Sequence, residues 1–286
     1  AVTASALAYF QLRLTYFWQF LANLASSIVA LFLILLSLGQ TLTLQVVFGA
    51  ILAGQFVGVV INFSKIWQEF KFLGEKIDWE LVRRYFQQSF ALGLTLIFNV
   101  IYFKADIILL SLLSTSQSVG LYGLAVRIFE WAILPPVFLL NAAFPVLAKA
   151  AVSDPSKLQN LAKTIGKILF VLSLIVFLPL FFFPNFFVNL IAGEIFSQSW
   201  PAVKILSVGI PFFYLSGLLM WLLVIFEKRK ELVGIYFAGL LVNVILNLIF
   251  IPKFGFLAAA AITVAAEALI LVASFSVIFL HFRRLK

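Results

Sequence analysis

Eight separate runs of about 20 apolar residues constrain this chain more than anything else in its 286 positions. They cover residues 17–38, 44–63, 90–113, 119–147, 165–183, 203–226, 232–251 and 256–280. Crossing a hydrocarbon core about 30 Å thick takes about 20 residues of helix. A β-barrel strand instead shows about ten residues of alternating polarity, and none of the runs has that pattern. In lipid, a helix satisfies its own backbone groups within one segment. The sequence therefore predicts an all-α polytopic membrane protein with eight transmembrane helices. Composition agrees, with 64% hydrophobic residues against 11% charged, where a soluble domain has about a quarter charged.

The net charge of +9 raises the question of nucleic acid, and its distribution answers it. Sixteen of the twenty cations fall on one side of the eight spans: Arg13 ahead of the first, Lys65, Lys71, Lys76, Arg83 and Arg84 in the second connection, Lys149, Lys157, Lys163 and Lys167 around the fourth, Lys228, Arg229 and Lys230 in the sixth, and Arg283, Arg284 and Lys286 in the tail. Lys204 and Lys253 lie on the opposite side, while Lys104 and Arg127 fall inside spans. Short loops rich in Lys and Arg stay in the cytoplasm, so both ends of this chain are expected there, in a cell membrane. Topology accounts for the charge, and no nucleic-acid partner is expected. The chain opens on Ala1 and its single methionine is Met220, so it reads as the later part of a longer protein.

Several chemistries are excluded by residue type. There is no Cys, and His281 is the only His, so disulfides, thiolate metal sites, Cys nucleophiles and imidazole clusters are excluded. No phosphate-binding Gly-rich loop or nucleophile elbow occurs, and neither an enzyme activity nor a cofactor is expected. Two connections should be helical. Asp78 precedes an amphipathic stretch through Trp79 and Tyr85, and Asp154-Pro155 places a cap and a first-turn proline ahead of Leu158 and Leu161. Trp18, Trp67 and Trp200 fall near predicted interfaces as belt residues.

Ionisable residues at bilayer depth cost about 2.5–3.5 kcal/mol each on insertion scales, so each needs a reason. Lys104 and Asp106 lie in the third span, Arg127 and Glu130 in the fourth, and a short turn at 114–118 joins the two. At 1.5 Å per residue, Lys104 and Arg127 sit about 12 Å below the outer boundary and Glu130 about 17 Å below it. Two readings fit. One is an ion-pair cluster pinning the hairpin, with Asp106 to Arg127 as the simplest pair. The other is a polar cavity for an ionic substrate or coupling cation. Glu267, near the middle of the last span among small residues, is either a proton carrier or a neutral acid hydrogen-bonded across a helix seam. Asn243 and Asn247, four apart, share one face of the seventh span as interhelical glue.

Three motifs then carry a resemblance. Asp106-Ile-Ile-Leu-Leu-Ser-Leu-Leu leads into Val119-Gly120-Leu121-Tyr122-Gly123-Leu124-Ala125-Val126-Arg127; Phe144-Pro145-Val146-Leu147 follows; and Asn247 precedes Ile251-Pro252-Lys253-Phe254-Gly255 and Ala258-Ala259-Ala260. In order and spacing these resemble the polysaccharide flippases (O-antigen, capsule and teichoic-acid type) of the multidrug/oligosaccharidyl-lipid/polysaccharide superfamily. The resemblance implies two six-helix lobes. Residues 1–64 would be the last two helices of an incomplete N-terminal lobe, 65–88 a cytoplasmic inter-lobe linker and 89–286 the six-helix C-terminal lobe. It also implies alternating-access export of a polyprenyl-pyrophosphate-linked oligosaccharide. Lys104 and Arg127 would bind the pyrophosphate, and Asp106, Glu130 and Glu267 would pair with those cations or carry a coupling proton or sodium ion. A drug/cation antiporter of the same superfamily is the alternative, kept by the excess of intramembrane acids and the 34 Phe. A membrane glycosyltransferase or polymerase fits less well, for want of external catalytic loops.

Overall fold

The computed structural model describes residues 9–10, 16–37, 43–69 and 78–284. Eight stretches among them are helical, long and apolar enough to cross a membrane, and no strand occurs in the described residues. The protein is thus an all-α, multi-pass membrane protein. Its contacts divide it into two compact units, Ala1–Asp78 and Trp79–Lys286.

The first unit contains α1 (Tyr16–Leu36) and α2 (Leu44–Glu69), packed antiparallel. Small residues set how closely they approach. A methyl group at Gly54 would lie 2.3 Å from the Ser26 carbonyl oxygen, and one at Gly58 would lie 3.2 Å from that of Ala22. The ammonium of Lys65 sits 4.0 Å from the centre of the Trp18 ring, tying the ends of the two helices together. Residues 65–69, expected in the linker, continue α2.

The second unit opens with α3 (Trp79–Leu113), which begins directly after Asp78. At 35 residues it is about 52 Å long, far more than a bilayer core needs. The amphipathic stretch at its start is therefore one rod with the span. Next come α4 (Ser116–Ala132) and α5 (Leu134–Ser153). The sequence predicts one span over 119–147 with its helix interrupted by Pro135-Pro136, and the chain breaks at Ile133 (φ −94°, ψ 6°). The cause is Pro135-Pro136. Pro136 has no N–H to offer the Ala132 carbonyl one turn back, so the ladder opens there. The hydroxyl of Tyr214 donates to that carbonyl instead, at 2.8 Å.

Asp154 caps α6 (Pro155–Phe182) as the sequence predicts, accepting from the amides of Ser156 at 2.8 Å and Lys157 at 3.2 Å. These bonds, together with the Ser156 hydroxyl, hold its carboxyl below the usual carboxylate range. The connection at 184–200, which reads as a loop, is itself helical: α7 (Pro184–Ala192), then a 3-10 turn, Glu194–Ser199. Gly193, at φ +73°, ends α7 in the left-handed region that favours glycine.

At the centre runs α8 (Trp200–Ile225), buried on nearly every side, with α4, α5, α6 and α10 packed around it. It runs on through Pro211, the other expected interruption. Finally α9 (Arg229–Phe254) and α10 (Phe256–Arg284) form a hairpin through Gly255, with α9 laid along α3.

Candidate functional site

Residues two apart on a helix point about 200° away from each other, so Lys104 and Asp106 cannot share a face of α3. This one fact divides the expected charge layer into two clusters. Asp106 turns into the second unit and is 3% exposed. Lys104 turns outward, its side chain 52% exposed. The expected pair of Asp106 with Arg127, or with Lys104, does not form: Asp106 is on the inner face, whereas both cations lie on the outer one.

On the outer face, Glu130 holds both cations. Lys104 Nζ is 3.1 Å from Glu130 Oε1, and Arg127 Nη1 is 3.2 Å from Oε2. Arg127 and Glu130 are one turn apart on α4, so they meet without bending either side chain far. The three line a cleft of about 430 Å³, with Gly120 and Gly123 as its floor and Phe196 of the 3-10 turn at its edge. Methyl groups at either glycine would meet nothing within 4 Å, so the floor is open. Arg127 is 71% exposed. Two cations against one carboxylate leave the cleft net positive.

The inner cluster draws on five helices. Asp106 of α3 accepts from Asn247 Nδ2 of α9 at 2.7 Å, from the Tyr122 hydroxyl of α4 at 3.0 Å, and from the Thr263 hydroxyl of α10. Asn247 also donates to Asn243 Oδ1 at 3.1 Å, and Thr263 Oγ1 lies 3.0 Å from the Ala259 carbonyl. Tyr102, one turn before Asp106, donates to the Thr263 carbonyl at 2.9 Å. One turn further along α10, Glu267 is 3% exposed and accepts from the Ser216 hydroxyl of α8. Thr263 thus lies between the two buried acids on one helix face. Among the described residues no cation is paired with either acid. Carboxylate, amide and hydroxyl oxygens are the donors that hard cations take, and Asn247 Oδ1 is buried without a partner. Among the described residues no group of three or more His, Cys, Asp or Glu side chains is placed to hold a metal ion.

Tyr122, Thr263, Ser216 and Tyr102 are absent from the sequence-predicted set. Tyr122 stands within the Val-Gly-x-Tyr motif, and Thr263 precedes Glu267 by one turn, so spacing offered a signal for both. Nothing in the sequence singled out Ser216 or Tyr102. The Asn243–Asn247 pair bridges α9 to α3, as interhelical glue should.

Two family descriptions match the chain. The one for "Polysaccharide biosynthesis protein" covers residues 7–151, and MatE covers residues 91–249. Both are families of transporters rather than enzymes, and both sit in one flippase superfamily. No individual curated protein matches. Eight membrane-crossing helices, a charged cleft at span depth and both matches lead to one statement: the chain belongs to the polysaccharide biosynthesis protein and MatE families of the multidrug/oligosaccharidyl-lipid/polysaccharide flippase superfamily.

Proposed function

We propose that this transporter moves a polyprenyl-pyrophosphate-linked oligosaccharide from the inner to the outer leaflet of the cell membrane, for cell-surface polysaccharide synthesis. The observation that carries the reading is the exposed, net-positive cluster of Lys104, Arg127 and Glu130. Exposed charges at span depth are too costly to face lipid, so this face borders a polar pathway. Phosphate binds strongly to paired cationic donors, and Arg127 offers a planar, forked set of them. Glu130 holds both cations in place until a phosphate competes for them.

Transport of this kind runs by alternating access, with the site open first to one side and then the other. The inner cluster supplies its coupling: Asp106, held by an amide and two hydroxyls and without a cation partner among the described residues, takes up a proton or sodium ion, and Glu267, one turn beyond Thr263, is the second acceptor. The concentration of cations in one set of loops supports the reading that both ends of the chain are cytoplasmic. A drug/cation antiporter remains the second reading, favoured by the MatE match and the two buried acids.

Charge reversal tests the choice in the full-length protein. Arg127→Glu puts two carboxylates against one cation in the cleft and should abolish glycan export at matched membrane abundance. Arg127→Lys keeps the charge and should retain part of it. Unchanged export by Arg127→Glu, or drug efflux that survives the reversal, sinks the phosphate reading and leaves the antiporter.

A further inference from the structure

In the second unit, α6 and α10 pack chiefly on α8, and a cleft of about 440 Å³ stays open between them. Its volume is within the range of about 300–1,000 Å³ typical of ligand pockets. The floor is Leu218, Leu219 and Leu222 of α8, and the walls are Ala162 of α6 and Phe275 and Phe279 of α10. All three helices contribute from one end: Leu222 lies three residues before α8 stops, Ala162 early in α6, and Arg283 one residue before the end of α10. That end carries the Lys228, Arg229 and Lys230 connection.

The mouth differs from the walls. Lys163 and Arg283 stand there with Gln159, and no acid lines the cleft. The Arg283 guanidinium lies 5.6 Å from the Phe279 ring centre, which keeps it at the rim. Neither Lys163 nor Arg283 has an ion-pair partner among the described residues.

An apolar slot with two unpaired cations at its mouth has the polarity of a lipid with an anionic head. We propose that the α6–α8–α10 cleft is a binding site for an anionic phospholipid of the cytoplasmic leaflet, its phosphate on Lys163 and Arg283 and one acyl chain on Phe275, Phe279 and Leu218. Basic pockets between transmembrane helices on that side attract such headgroups. The span from Arg283 to Phe275 is about 12 Å along α10, the depth of the upper part of one acyl chain. The long tail of a polyprenyl substrate is a different occupant. A site for it should continue into the cleft at Lys104 and Arg127, yet the two clefts share no residue.

The test releases the purified full-length protein from nanodiscs of equal phosphatidylglycerol and phosphatidylcholine and reads the retained lipid by native mass spectrometry. Wild type should retain phosphatidylglycerol selectively, and Lys163→Gln with Arg283→Gln should lower that retention about tenfold. These side chains are exposed, so the double variant should fold. Ala162→Phe, which fills the wall, should also lose the lipid; if it fails to fold, the charge variant decides alone. Equal phosphatidylglycerol retention by wild type and the charge variant overturns the site. So does equal retention of phosphatidylcholine by wild type, or displacement of phosphatidylglycerol by decaprenyl phosphate at equal concentration.

Discussion

Replacing Asp106 by Asn separates the work of a charge from the work of a shape. The carboxyl accepts from Asn247, Tyr122 and Thr263. Asparagine keeps one acceptor oxygen, enough for the hydroxyls of Tyr122 and Thr263, but turns an N–H₂ toward the Asn247 amide. Asn247 can flip, because its Oδ1 is buried and unpartnered; the flip forfeits its 3.1 Å bond to Asn243. One neutral hydrogen bond is then lost, about 1 kcal/mol, or about 2–4 °C in Tm for a chain of this size. Relief of a buried charge without a cation partner offsets part of that. Asp106→Leu removes both acceptor oxygens, yet each donor keeps a second acceptor: Asn243 Oδ1 for Asn247, Thr263 Oγ1 at 3.4 Å for Tyr122, and the Ala259 carbonyl for Thr263. Its cost should be about 2–3 kcal/mol. Transport should behave differently. Both variants lose the exchangeable charge, so both should fail to couple export to an imposed proton or sodium gradient in proteoliposomes. Wild-type, gradient-dependent transport by Asp106→Asn would refute the coupling role. A Tm drop above about 10 °C for Asp106→Asn would refute the hydrogen-bond accounting instead.

Three further outcomes are expected. Gly54→Ala places a methyl against the Ser26 carbonyl and must push α1 and α2 apart, costing about 1–3 kcal/mol. Gly49→Ala, with nothing within 4 Å, should stay near neutral, and paired thermal melts compare the two. In intact cells, Ser116→Cys should react with an impermeant thiol reagent and Lys230→Cys should not; the reverse pattern inverts the topology. Asp154→Ala should speed amide exchange at Ser156 and Lys157, the two amides it caps. Because the folded protein holds that carboxyl below its ordinary value, the cap is in force above about pH 4 and is lost as pH falls through the lowered folded value. Wild type and variant should therefore exchange alike only in strong acid.

What the sequence disclosed follows from which signals survive in lipid. Run length survives, so all eight spans were legible, as was the Asp154-Pro155 cap. Face does not. A helix between a packed core and lipid is apolar on both sides, so periodicity fails to say which side turns inward. Asp106 and Lys104 could be placed at one depth, but their assignment to opposite faces matters more than their depth, and it separates them. With Asp106 and Glu267 inside the unit, the apparent excess of intramembrane acids vanishes from the exposed cleft, which is net positive. Pro135-Pro136 marked the interruption at Ile133, whereas the short α7 was missed for another reason. A 17-residue connection reads as loop unless Pro184 and Gly193 are taken together as helix start and stop.

The break between α4 and α5 has a mechanical meaning. Bending an intact helix sharply stretches or ruptures backbone bonds, and stiffness comes from that. At Pro136 the bond to Ala132 is missing from the outset, so angular compliance at this joint carries no such penalty. The hydrogen bond at the joint comes instead from Tyr214 of α8, whose ring is fully buried and whose hydroxyl holds the loose carbonyl. The charged residues of α4 therefore sit on a helix whose last carbonyl is held to the central helix by one phenol, while α5 packs on that same helix through Phe144 against Trp221. Tyr214→Phe removes the fastening and leaves the ring.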